Sequence, residues 1–366
     1  MKFDMIAGHN VQDTEGNIWV WDRLHNLIGF FQGENFDFHI AGQFEENDFY
    51  GFGIFLRENV IYITAQDKAE ILAYDIKDNF FRVFRSDICL KASQYYSAEL
   101  DYNRMILFSY ELEYGSVIFN ILNGQFEKGP LLKLDRSYNS KVISRLSETE
   151  KEIIIAVSNS NELLVISKED MSYTKLRVPF IDDIGGVCGY CTNCLWVISK
   201  NADRLIQYCN NESLEIIIGE KKEGDLFSRL VIYGGKVIAI PRYAEELYIY
   251  DTLKKKIELV KIPMDVKRTD NRSSLFWDCY EKDNKLILLP WAYPYILEVD
   301  LDTLGVGVRN ANVSTDEFIK YGLPEIIYED EEMRLDLLFK IVGKSEVSKK
   351  NRKQIGTKIW ENQGMT

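Results

Sequence analysis

The chain has 366 residues, 46% of them hydrophobic, and a formal net charge of −13. A surface of that sign repels phosphate backbones, so the composition argues against nucleic-acid binding. The first residues lack the basic start and apolar run of a signal peptide, and no apolar stretch approaches the length of a membrane-spanning helix. We therefore expect a cytoplasmic protein whose six cysteines are reduced.

One pattern of strands recurs along the chain and is complete in residues 285–303, KLILLPWAYPYILEVDLDT. A continuous apolar run, typical of a strand covered on both faces, is followed about ten residues later by an alternating run and an acidic turn. The central residues of the first runs lie 42 to 49 residues apart: Trp19, Ile61, Ile106, Ile154, Trp196, Ile238 and Ile287. This regular spacing indicates seven copies of one structural unit.

Each unit contains two further runs, one before the pair and a weaker one after it. Four strands at a period of roughly 40–50 residues are the signature of a β-propeller. A solenoid of βα units would need an amphipathic helix in each repeat, and no such pattern occurs before residue 314. Residues 1–313 are therefore predicted to be all-β, a seven-bladed β-propeller of four-stranded antiparallel blades.

The ends of several third strands resemble those of diverged bacterial members of the β-propeller superfamily: Tyr74-Asp75, Tyr250-Asp251 and Val299-Asp300. The likeness to Trp-Asp and kelch propellers is more distant. Only Trp21-Asp22 and Trp277-Asp278 carry the Trp-Asp pair, at different places in the unit, and the Gly-Gly doublets do not follow the second strands as in kelch repeats. The resemblance implies the fold over residues about 3–312 and matches no specific family.

A change of period marks the C-terminal part, residues 314–366. The polar and acidic run from Ser314 to Glu317 is typical of a helix start, and residues 330–342 carry apolar side chains at helical spacing. We expect a short α-helical tail as a separate unit from the propeller.

The loops between the second and third strands are predicted to emerge together on one face of the ring. Those of the sixth and seventh units, PRYAEE and PWAYPY, are the richest in aromatic and basic residues. Rings and guanidinium groups are enriched in binding surfaces. The candidate ligand or partner surface is therefore Arg242, Tyr243, Trp291 and Tyr293, and the alternative is that these rings only pack over the loops.

The spacing of Cys188, Cys191 and Cys194 is that of an iron–sulfur or zinc motif. Aligned with the other units, however, Cys191 and Cys194 flank a hairpin turn and Cys188 lies on an inner strand. We expect no metal or cofactor, with this cysteine trio as the minor alternative. A Cys191–Cys194 disulfide is a further alternative under oxidising conditions.

The three histidines, His9, His25 and His39, are predicted to lie in three different layers, which argues against a shared metal. Sequence signatures of nucleophilic, zinc-dependent or phosphate-binding catalysis are absent. The leading interpretation is a non-catalytic platform that binds a protein partner or a small polar ligand. The alternative is a carbohydrate-directed hydrolase or lyase with a site in the central depression, built from residues on or near the inner strands: Tyr50, Arg145, Arg229, Asp278 and Tyr280.

Overall fold

The chain forms a seven-bladed β-propeller, as a computed structural model shows. The structure describes residues 5–32, 36–46, 49–88, 94–132, 142–191, 194–209, 212–263, 275–293 and 295–321. These residues form 28 strands, and each blade consists of four antiparallel strands that are consecutive in the chain. The predicted fold class of the propeller is confirmed. No helix among the described residues is long and apolar enough to cross a membrane.

The strand bounds, blade by blade, are as follows: β1 Met5–Gln12, β2 Ile18–Asp22, β3 Leu27–Gln32 and β4 Asp37–Gln43; β5 Gly51–Arg57, β6 Val60–Ala65, β7 Glu70–Asp75 and β8 Phe80–Arg85; β9 Tyr95–Asp101, β10 Arg104–Ser109, β11 Ser116–Asn120 and β12 Gln125–Lys128; β13 Ile143–Glu148, β14 Glu152–Val157, β15 Glu162–Ser167 and β16 Tyr173–Arg177; β17 Ile184–Cys191, β18 Cys194–Ser199, β19 Arg204–Cys209 and β20 Glu212–Ile217; β21 Phe227–Tyr233, β22 Lys236–Pro241, β23 Glu246–Asp251 and β24 Lys256–Lys261; β25 Phe276–Lys282, β26 Lys285–Tyr293, β27 Tyr295–Asp300 and β28 Val306–Asn310. In each blade the first strand lines the channel at the centre of the ring.

The second strand of each blade is buried on both faces, which explains the continuous apolar runs. In β14, Ile153 and Ile155 pack into the core between blades 3 and 4, whereas Ile154 and Ala156 pack into the core between blades 4 and 5. Seven apolar cores of this kind join the described residues of neighbouring blades. The fourth strands, in contrast, alternate half-buried and exposed side chains, as β8 and β20 do. This is why their sequence signal is weak.

Within the described residues, all four strands of blade 1 and of blade 7 are consecutive in the chain, so neither blade borrows a strand from the other. β1 is the inner strand of blade 1, and its start also pairs with the end of β26 in blade 7, through Met5 opposite Tyr293 and Ile6 opposite Trp291. Apolar side chains from both blades fill the core between them. Blades 1 and 7 are therefore held by backbone pairing as well as by packing.

The segment after β28 lies against the outer edge of blade 1. The Phe38 amide donates to the Asn312 carbonyl at 2.8 Å. The chain then forms a short helix, α1 Thr315–Tyr321. It begins where the sequence predicts a helix start, because the Glu317 amide donates to the Ser314 hydroxyl at 3.2 Å. The second predicted helical segment, residues 330–342, lies outside the described residues.

Glu317 links α1 to the edge of β4. Its carboxylate accepts a hydrogen bond from the Ile40 amide at 2.9 Å and another from the Ser314 hydroxyl at 2.6 Å. The Tyr321 hydroxyl donates to the Ile40 carbonyl at 3.4 Å. A side chain from the C-terminal segment thus satisfies a backbone donor of an edge strand.

We predict that Glu317→Ala lowers the free energy of unfolding by about 1–2 kcal/mol, because both the helix cap and the Ile40 amide lose a partner. Urea denaturation measures this loss. The matched control is Glu223→Ala, which removes the same carboxylate from an exposed loop. Equal stability of the two variants would show that the C-terminal segment does not support blade 1.

Candidate functional site

The loops that join second to third strands meet at one face of the ring, which we call the loop face. A single cavity of about 310 Å³, which we call the loop-face depression, lies at this face. Each blade contributes one residue to its lining, either from the end of the second strand or from the loop that follows it. These residues are Arg23, Gln66, Tyr110, Ser158, Lys200, Arg242 and Trp291. Inner strands begin at the same face because neighbouring strands are antiparallel, so their first residues also line it. All seven blades therefore shape one site.

Three aromatic rings form one wall of the depression. The centroids of Trp277 and Trp291, both in blade 7, lie 5.1 Å apart. Phe52 of blade 2 contacts both indoles nearly edge-on, with centroid distances of 5.3 and 6.3 Å. Trp277 and Trp291 are both partly exposed. This wall offers flat apolar surface to a ligand.

Two arginines share one carboxylate at the depression. Arg145 Nη2 lies 2.5 Å from Asp225 Oδ1, and Arg242 Nη1 lies 2.6 Å from Asp225 Oδ2. The Arg145 guanidinium also donates to the Gly185 and Phe227 carbonyls, which fixes its position. Nearby, Lys200 Nζ lies 2.9 Å from Asp183 Oδ2. These ion pairs fix the polar side of the depression.

Arg23 is held differently. Its guanidinium donates to the Gln66 side-chain oxygen at 2.6 Å and lies 5.2 Å from the centroid of the Tyr50 ring. Within the described ranges, no carboxylate lies at ion-pair distance from it. Burial lowers the pKa of Arg23, and the charge of Asp67 opposes that shift only in part. Arg23 is thus a partly buried cation without a close counter-ion in that part of the chain.

A second cavity of about 260 Å³ lies deeper in the channel and contains a buried carboxylate. Asp278, 2% exposed, forms an ion pair with Arg229 and accepts a hydrogen bond from the Asn10 amide group at 2.8 Å. His9 Nδ1 lies 3.4 Å from Asp278 Oδ2. Burial alone would raise the pKa of Asp278, but attraction by Arg229 and hydrogen bonding lower it below its ordinary value. This carboxylate is therefore ionised and engaged by its neighbours.

The structure brings together only part of the predicted binding set. Arg242 and Trp291 line the depression. The Arg242 guanidinium lies 5.1 Å from the centroid of the Tyr243 ring, so Tyr243 supports the arginine. The backbone of Tyr293 pairs with Met5, and its side chain is outside what the structure describes.

The residues predicted for an enzyme do not form one cluster. Arg145, Arg229 and Asp278 line the channel cavity. Tyr280, in contrast, is buried in the core between blades 7 and 1, and Tyr50 is 46% exposed beneath Arg23.

Sequence reasoning missed Phe52 and Trp277. Both are the second residue of an inner strand, as are Tyr96 and Ser144, which also line the depression. The second position of the inner strand thus faces the depression in four blades. Finding these residues from sequence would have required the exact first residue of each inner strand, which the spacing of the apolar runs does not give.

The expectation of six reduced cysteines is wrong in this structure, since Cys194 and Cys209 form a disulfide with a Cα–Cα distance of 4.5 Å. They lie directly opposite each other on β18 and β19. Cys191 is opposite Cys194 on the other side, yet the bond forms with Cys209, so the Cys191–Cys194 alternative is also wrong. The Cys194 sulfur is engaged, which removes it from the metal site considered for the trio. Among the described residues, no group of three His, Cys, Asp or Glu side chains is placed to hold a metal.

The chain matches no protein-family profile and no curated protein sequence. Solved structures share its fold. Virginiamycin B lyase from Staphylococcus aureus has a TM-score of 0.61 and 10% identity, covering 80% of this chain and 96% of the lyase. YCF48 bound to D1 peptide has a TM-score of 0.60 and 9% identity, covering 85% and 94%. The extracellular domain of the one-component system BT4673 from B. thetaiotaomicron has a TM-score of 0.58 and 13% identity, covering 84% and 39%. At these identities the likeness concerns the fold.

We predict that Asp278→Asn destabilises the protein by about 2 kcal/mol at pH 7. This is below the usual cost of breaking a buried ion pair because the Arg229 side chain is 42% exposed to the channel. Since the pKa of Asp278 is lowered by folding, its contribution is complete above the unfolded value of about 4 and is lost as pH falls through the folded value. The gap in unfolding free energy between wild type and variant should therefore narrow between pH 7 and pH 3.

Urea denaturation at the two pH values measures that gap. Asp87→Asn, an exposed aspartate on the loop after β8, is the matched control and should show no gap at either pH. A gap that stays constant or widens in acid would contradict the assignment of a lowered pKa to Asp278.

We predict that Cys194 and Cys209 resist alkylation in protein whose thiols were trapped by acid at cell lysis. Iodoacetamide is added after unfolding without reductant, and labelled peptides are identified by mass spectrometry. Cys279, which is not in a disulfide, is the positive control. Labelling of Cys194 and Cys209 to the same extent as Cys279 would show that the disulfide does not form in the cell.

Proposed function

We propose that this protein is a non-catalytic β-propeller that binds an extended segment of a protein partner in the loop-face depression. The observation that carries the proposal is the convergence of one residue from the second strand or following loop of every blade on a single cavity beside the Phe52–Trp277–Trp291 wall. A site to which all blades contribute is where closed rings offer a concave surface.

The chemistry of the depression supports a peptide as the ligand. Aromatic and arginine side chains dominate the energetics of protein interfaces, and both are present here in fixed positions. A cavity of about 310 Å³ admits a few side chains but not a folded domain. Among the proteins of similar fold, YCF48 is known bound to a peptide, which supports the same use of the ring.

The cellular location remains a prediction. From the sequence we expect a cytoplasmic location, whereas a disulfide between Cys194 and Cys209 is typical of oxidising compartments. The alkylation experiment distinguishes the two.

A hydrolase or lyase is the second candidate function, and one observation favours it. His9 lines the channel cavity beside Asp278, the arrangement in which a carboxylate orients a histidine base. Virginiamycin B lyase shares the fold, and a histidine-to-alanine variant of that enzyme is catalytically inactive. Against this role, the oxygens of Asp278 are already bound by Arg229, Asn10 and the Cys279 amide. The carboxylate is thus tied to the fold, and binding is the better-supported function.

We predict that dodecapeptides selected from a random phage-displayed library on the full chain bind through Trp291. Trp291→Ala should weaken their binding about 30-fold or more, the loss expected when a central aromatic anchor is removed. Fluorescence anisotropy with the labelled peptides measures the dissociation constants.

Phe80→Ala is the matched control, because Phe80 is an exposed ring on the outer strand of blade 2. It should change affinity by less than about twofold, since surface rings away from a site contribute little. Equal effects of the two substitutions, with unchanged melting temperatures, would exclude the depression as the binding site.

A further inference from the structure

We propose that the loop-face depression recognises an acidic residue of its peptide partner, whose carboxylate pairs with Arg23 while a neighbouring aromatic residue packs on the Trp277–Trp291 wall. This inference rests on the proposed binding function and adds the chemical class of the ligand to it.

The charges that line the depression are unbalanced. Four cations, Arg23, Arg145, Lys200 and Arg242, face two carboxylates, Asp183 and Asp225. The excess is positive in a chain whose net charge is −13. A local potential opposite in sign to the rest of the surface attracts an anionic group to this one place.

Three of the four cations have their counter-ions within the protein. Asp225 pairs with both Arg145 and Arg242, and Asp183 pairs with Lys200. Arg23 is the exception within the part of the chain that the structure describes, because its hydrogen-bond acceptor there is the neutral Gln66 side chain. A partly buried guanidinium without a close carboxylate gains most from a counter-ion brought by a ligand.

The side chains next to Arg23 indicate which kind of residue lies beside the acidic residue in the ligand. Around the ring, Arg242 of blade 6 and Arg23 of blade 1 lie on either side of the indoles of blade 7. The Arg242 guanidinium lies 5.3 Å from the centroid of the Trp277 ring, so the indole wall and the cationic edge are continuous. An acidic residue next to an aromatic one in an extended peptide matches this arrangement.

A carboxylate fits better than a phosphate. The guanidinium fork binds either group, but the field of the remaining surface repels a dianion about twice as strongly as a monoanion. The class of ligand is therefore a peptide with Asp or Glu beside an aromatic residue.

The test uses the peptides selected on the full chain. We expect enrichment of Asp or Glu next to Phe, Tyr or Trp. Replacing that acid by its amide in a synthetic peptide should weaken binding about tenfold or more, the usual loss of a charge-assisted hydrogen bond. This arm does not depend on how any protein variant folds.

The protein arm compares Arg23→Gln with Arg82→Gln, an exposed arginine on the outer strand β8 that has the same chemistry. Arg23→Gln should weaken the acidic peptide about tenfold and leave the amide peptide unchanged, whereas Arg82→Gln should affect neither. Arg23→Glu should shift preference to a peptide with Lys in place of the acid.

The outcomes separate the two proposals. The selected peptides could depend on Trp291, be neutral or basic, and bind the Arg23→Gln variant with the same affinity as the wild type. That result would overturn the recognition of an acidic residue but would leave the proposed binding function intact. Selection of no peptide that depends on Trp291 would overturn both.

Discussion

The double-sided burial of the second strands is the constraint on which the whole ring depends. Each of these strands divides its side chains between two interblade cores, as Ile153 and Ile154 do on β14. A blade therefore cannot bury its apolar surface alone, and the cores are completed only when neighbours lie on both sides. Closure between blades 7 and 1 follows the same rule and is reinforced by the pairing of β1 with β26.

The binding site is a consequence of that packing. Because the second strands all run in the same direction relative to the channel, the residues that follow them converge on one face. Blade 7 supplies the indoles, and blades 1 and 6 supply the arginines on either side. The groups that line the depression are held by the strands of the ring and by ion pairs such as Arg145–Asp225 and Lys200–Asp183, so binding has little ordering cost on the side of the protein. The pair of Arg229 with the buried Asp278 carboxylate lies below them in the channel.

The fold was readable from sequence because burial on both faces leaves a continuous apolar run at a constant period, from Trp19 to Ile287. Of the site, the sequence predicted only residues in or next to the loops between second and third strands, such as Arg242 and Trp291, because these loops are rich in aromatic and basic residues. Phe52 and Trp277 required the register of the inner strands, which spacing does not give. The disulfide partner of Cys194 depended on the register between β18 and β19, since Cys209 is 15 residues away. The counter-ion that distinguishes Arg242 from Arg23 is Asp225, which lies 17 residues before Arg242 in the chain, and the sequence alone does not show that the two side chains meet.

Hydrogen–deuterium exchange of the full chain, with and without the tightest selected peptide, tests the central claim most directly. Amides of the loops at residues 22–26, 65–70 and 242–245 should become protected, because these loops surround the loop-face depression. The turns between first and second strands, on the opposite face of the ring, should exchange at the same rate in both states. Protection confined to those turns or to the outer strands would show that the partner binds elsewhere and would contradict the assignment.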